Sequence, residues 1–68
     1  MDIDIRRYII DNFRGDDKSS IEKSINDSVK ANEEETLIGM GVLFELLWKN
    51  GNKEIKSNIL DILESSLK

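Results

Sequence analysis

Apolar residues recur along the chain at intervals of three and four, the period of an α-helix lying against a core, and they do so in four blocks. The first block predicts a helix over about Asp4 to Phe13, with Ile5, Tyr8, Ile9 and Phe13 on one face and Asp2 or Asp4 as N-cap. Gly15 follows where a left-handed residue closes a helix, and Arg14 suits the negative end of the helix dipole. The second block predicts a helix from Ser19, where Ser19-x-x-Glu22 has the spacing of a capping box. Its apolar stripe is thin: Ile21, Ile25 and Val29. Residues 31–36 form the longest connection, and Glu33, Glu34 and Glu35 lead into the third helix, whose positive end favours carboxylates.

The third block predicts a helix over about Gly39 to Asn50 and is highly apolar. Met40, Leu43, Phe44 and Leu47 form one face, flanked by Val42 and Leu46 on one side and Trp48 on the other, an arc of about two-thirds of the circumference. Glu45 and Lys49 make the one polar strip, in the favourable Glu-then-Lys order at i,i+4. Such a helix needs neighbours on two or three sides, so it is expected to be the core. Gly51 ends it, and Asn52 is the expected N-cap of a fourth helix with Ile55, Ile59, Leu60, Ile62, Leu63 and Leu67 on its inner side. Joined by so short a turn, the third and fourth helices should form an antiparallel hairpin. The pattern thus predicts one all-α domain over residues 1–68, a small bundle of about four short helices. The chain has no proline, and no alternating run long enough for a sheet.

Composition narrows the function classes. The 68 residues are 38% hydrophobic and 35% charged, as in a folded chain rather than a disordered one. A chain this short buries a small core, and without cysteine no disulfide supports it, which leaves efficient helix packing or association with another chain. The N-terminus, Met1-Asp2-Ile3-Asp4, is acidic where a signal peptide would be basic, and no stretch is long enough to span a membrane, so the expected location is cytoplasmic. Net charge is −4, and all the excess acid lies in residues 15–36, where seven carboxylates face three lysines. A duplex-binding surface needs a basic stripe, so nucleic acid is disfavoured as a partner. Arg6, Arg7 and Arg14, with Tyr8 nearby, are the one basic cluster that could serve such a role.

Candidate chemistry is sparse. Histidine and cysteine are absent, which removes the usual general base near neutrality and the best nucleophile. Asp16-Asp17 and Glu33-Glu34-Glu35 sit in connections with no apolar wall to raise a pKa. No catalytic residue, cofactor site or metal site is expected, and the chain is not expected to be an enzyme. Gly39 and Gly41 could cradle a phosphate on the helix N-terminus, but the acidic run upstream would repel it, and close approach of another backbone explains them better. Trp48 reads as a half-buried core residue rather than a stacking platform for bases.

One stretch carries a family resemblance. Glu34-Glu35-Thr36-Leu37-Ile38-Gly39-Met40-Gly41-Val42-Leu43-Phe44-Glu45-Leu46-Leu47-Trp48-Lys49-Asn50 resembles the signature of the minor small acid-soluble spore protein I family of endospore-forming bacteria. That family shows Glu-Glu, a short spacer, then Leu-Pro-Gly-Leu-Gly-Val-Leu-Phe-Glu-x-x-Trp. Arg6, Asn12, Gly15, Ile21, Ile25 and Asp27 follow the same order of elements. Ile38 stands where the family usually has proline, and Met40 replaces a leucine, which a core tolerates. The resemblance implies synthesis in the forespore, deposition in the spore core, a structural or interaction role linked to spore formation and outgrowth, and neither enzyme activity nor cofactor. It does not extend to the DNA-coating alpha/beta-type spore proteins, whose sequence differs. Lys53-Glu54-Ile55-Lys56-Ser57 resembles the Glu-Ile-Ala-Ser site that the germination protease cleaves in those proteins, with Lys56 in place of alanine, although the first turn of a helix also accounts for the segment.

The apolar residues outnumber the faces available to cover them. Ile3 and Ile10 stand apart from the main face of the first helix, and Leu60 and Leu67 lie at one edge of the fourth. A two-fold homodimer that buries these positions, with Gly39 and Gly41 admitting a second backbone, is the favoured expectation over a monomer whose edge residues shield the core rim, beside an unidentified protein partner in the spore core. Gly39, Gly41, Phe44, Trp48, Leu60 and Leu67 are therefore the candidate packing and interaction residues. Phe44→Ala is expected to cost what a core phenylalanine costs, about 3–5 kcal/mol.

Overall fold

A computed structural model describes residues 4–68 as α1 (Ile5–Phe13), α2 (Lys18–Ala31), α3 (Thr36–Asn50) and α4 (Lys53–Leu67). No strand occurs among the described residues, and the chain is an all-α bundle. Asp2 and Ile3, considered above as a cap and as an apolar edge, lie outside the described residues.

Local chemistry sets each boundary. Asp4 caps α1 by accepting a hydrogen bond from the Arg7 backbone N–H at 3.1 Å. Gly15, at φ +89°, takes the left-handed conformation that a Cβ would strain, and the Asp16 N–H donates back to the Phe13 carbonyl at 3.0 Å. The start of α2 differs from the sequence reading. Asp17, not Ser19, is the cap: its carboxylate accepts from the Ser20 N–H at 2.8 Å, so the helix begins at Lys18. Two competent acceptors lie two residues apart here, and the ionised one makes the stronger bond to a helix N-terminus. Asn32 closes α2 in the left-handed region, which asparagine tolerates.

The third helix also starts earlier than the sequence suggests, at Thr36 rather than near Gly39. A proline at this position would push the residue before it, Leu37, out of the helical region, whereas Ile38 leaves Leu37 free to be helical. The Thr36 hydroxyl donates to the Glu33 carbonyl at 2.8 Å and locks the entering turn. Gly39 and Gly41 consequently lie inside α3 instead of opening it. At the far end the Gly51 N–H donates to the Leu47 carbonyl at 2.8 Å, and Asn52 caps α4 by accepting from the Ile55 N–H at 2.9 Å.

Packing is lopsided. Both α1 and α2 lie along α3, but α4 does not. The antiparallel α3–α4 hairpin is therefore not formed. Gly51 (φ −73°, ψ 149°) and Asn52 (φ −81°, ψ 178°) are both extended and carry the chain away from α3. Val42, 6% exposed, is the one buried side chain among the described residues, and it lies on α3. The Met40, Leu43, Phe44 and Leu47 face of the same helix stays largely open, with Phe44 at 42% exposure. The radius of gyration, 13.4 Å, exceeds the roughly 11 Å usual for a compact chain of this length.

Candidate interaction surface

Two apolar surfaces dominate the molecule. The first is an open groove of about 380 Å³ between α2 and α3, lined by Ile21, Ile25, Met40, Leu43, Phe44 and Leu47. Spacing by four on α2 and by three and four on α3 puts these six side chains on facing stripes. The second is an exposed face of α4, where Leu60 (53% exposed), Leu63 and Leu67 (83% exposed) follow at i, i+3 and i+7. A stripe at that spacing runs along one side of a helix and matches the seam of a helix pair.

Aromatic packing joins the two. Phe44 and Trp48 stack one turn apart, with ring centroids 5.9 Å apart and planes at 26°. The Lys56 ammonium of α4 sits 5.2 Å from the Trp48 ring centroid, a cation–π contact at the α3–α4 corner. Trp48 is accordingly half-buried. Gly39 and Gly41 face open space, since a Cβ on either would meet nothing within 4 Å. Among the described residues, no other helix comes within 4 Å of those positions.

The basic cluster is occupied. Arg6 on α1 forms a bidentate pair with Glu45 on α3, Nε to Oε1 at 2.6 Å and Nη2 to Oε2 at 3.1 Å. This pair ties together residues 39 apart in sequence, and periodicity gives no sign of it. The hydrogen bond and charge of Arg6 hold the Glu45 carboxyl below its ordinary value, and Arg6 is raised in return. Arg14 reaches Asp11 at 3.3 Å. Two of the three arginines that could meet phosphates are thus engaged by carboxylates of the chain. On α2, Lys23 pairs with Asp27 at 2.9 Å. Among the described residues no group of three or more His, Cys, Asp or Glu side chains is placed to hold a metal ion, and no helix is long and apolar enough to cross a membrane.

These features describe a small helical chain that presents unpaired apolar helix faces. Comparison with known proteins then gives the family. Residues 3–67 match the family model described as "Small, acid-soluble spore protein I". A protein of that name from Bacillus licheniformis is 37% identical over 68 residues, covering 100% of this chain and 97% of the relative. The Bacillus subtilis protein of the same name is 37% identical with 100% and 96% coverage, and a Bacillus cereus one is 35% identical with 100% and 99% coverage. No solved structure matches. The chain belongs to the small acid-soluble spore protein I family, which is not a known enzyme family.

Proposed function

We propose that this chain is a non-enzymatic protein of the spore core that acts through helix-face contacts during spore formation and outgrowth. The observation that carries this reading is its correspondence, along its full length, with proteins named small acid-soluble spore protein I. The exposed groove and α4 stripe supply the means, because apolar surfaces of this extent mark sites of association. A fluorescent fusion expressed from the native promoter should appear in the forespore and be recovered from spore-core extract. Deletion of the gene should slow the return of spores to growth. Fluorescence confined to the mother cell would overturn the assignment.

The rival reading, a nucleic-acid-associated spore protein using Arg6, Arg7 and Arg14, has less support, because Arg6 and Arg14 are already paired. Titration against duplex DNA is expected to give only weak binding with a shallow salt dependence. A slope equivalent to several released counterions would favour the nucleic-acid role instead.

A further inference from the structure

The helix-face reading leaves the partner open, and the chain's own surface identifies it. Folded monomers of 7.8 kDa expose about 4,400 Å², whereas this chain exposes 6193 Å², a surplus of roughly 1,800 Å². Two copies together carry about twice that surplus. Burying even half of it would make an interface of standard size, about 1,600 Å² in total, and burying all of it would reach the range of obligate homodimers.

The surplus has a shape. The α2–α3 groove, lined by six apolar side chains, can receive the leucines of one amphipathic helix, and α4 presents such a stripe without packing along α3. Gly51 and Asn52, both extended, direct α4 away from the groove of its own chain. A short connection that keeps a helix from folding back is the arrangement that favours exchange between identical chains. Each copy then offers one groove and one stripe, so a single two-fold operation satisfies both and leaves nothing to propagate a filament. Charge permits it. The six lining side chains are all uncharged, Glu45 and Lys23 lie on the opposite faces of α3 and α2 and are paired with Arg6 and Asp27, and the excess acid lies in the connections at 16–17 and 33–35, beyond the groove lining.

We infer that the chain forms a two-fold dimer in which α4 of each copy, through Leu60, Leu63 and Leu67, lies in the α2–α3 groove of the other, against Phe44 and Leu47. This inference rests on the helix-face reading above and names its partner as a second copy of the chain.

Sedimentation equilibrium over about a hundredfold range of concentration should pass from the mass of one chain to that of two, and the thermal midpoint should rise with concentration. Leu60→Glu and Leu67→Glu should each weaken association by roughly a hundredfold. Both side chains are exposed in the single chain, so their loss acts on the dimer, and the wild-type concentration dependence stands whether or not a variant folds. Because the chain has no cysteine, Phe44→Cys and Leu63→Cys can be mixed in equal amounts and oxidised. Disulfides should then join unlike variants. A single-chain mass at every concentration with a flat thermal midpoint would overturn the dimer, as would masses growing beyond two chains. Monomers captured by anionic phospholipid vesicles would overturn it in favour of a lipid surface. Disulfides only between like variants would overturn the groove seating. A monomeric chain that still accumulates in the forespore would remove the dimer and leave the spore-core assignment intact.

Discussion

A Cβ placed on Gly51 would come within 2.9 Å of the Leu47 carbonyl oxygen and 3.3 Å of the Ile55 side chain. The backbone there, at φ −73°, is open to any residue, so glycine serves space and not conformation. Gly51→Ala should lower stability by about 1–3 kcal/mol, the usual penalty for overpacking against a rigid neighbour, read as a lower urea midpoint. At the same scale, Arg6 holds the Glu45 carboxyl below 4.5, and the Ser20 backbone N–H holds that of Asp17 below 3.8, their ordinary values. Carboxyls depressed in the folded state add stability above those values, and it disappears as pH falls through the lower folded values. Arg6 and Lys23, raised by Glu45 and Asp27, lose their contributions only on the alkaline side. With no histidine to titrate between, the urea midpoint should be flat from about pH 5 to 9 and fall in acid. Glu45→Gln should reduce that acid fall. Both carboxyls are exposed, so the change is small.

Among the elements, the caps give the sharpest contrast. Asp17 carries the α2 cap and Ser19 lies inside the helix, so Asp17→Ala should cost about 1 kcal/mol and Ser19→Ala much less. Urea unfolding of the two variants, side by side, checks it. The same contrast shows what a sequence reader can and cannot see. The existence of four helices follows from the spacing of Ile5, Ile9 and Phe13, of Ile21 and Ile25, and of the leucines of α3 and α4. The Asn52 cap and the left-handed Gly15 follow from residue type. The α2 start was ambiguous because Asp17 and Ser19 are both good acceptors. The α3 start moved because the glycine pair looked like a boundary when Ile38 allowed the helix to continue. The direction of α4 was illegible, since it depends on the dihedral angles of two residues and not on hydrophobic pattern. The Arg6–Glu45 pair was illegible too, because it depends on how α1 crosses α3. Of the candidate surface, Leu60 and Leu67 were readable as apolar residues in excess of the faces available, whereas the exposure of Phe44 was not, because its place on the most apolar face of α3 reads as core.

For the molecule as a whole, the state of assembly sets how much each core residue is worth. Phe44 is 42% exposed in the single chain, so Phe44→Ala should cost about 1–2 kcal/mol in dilute solution, below the full core value. With the groove covered by a second copy, the cost should rise to about 3–5 kcal/mol, and unfolding measured at low and at high concentration separates the two. Half-buried Trp48 should emit moderately to the blue of free tryptophan when dilute, and further to the blue as the copies meet. A chain that pairs in this way would gauge its own abundance. Pairs form with the square of the free-chain concentration, so a rise in synthesis of about a hundredfold would carry the chains from mostly single to mostly paired. In the dimer inferred above, the leucine stripe on α4 would make the structure of this protein a function of how many copies share its volume.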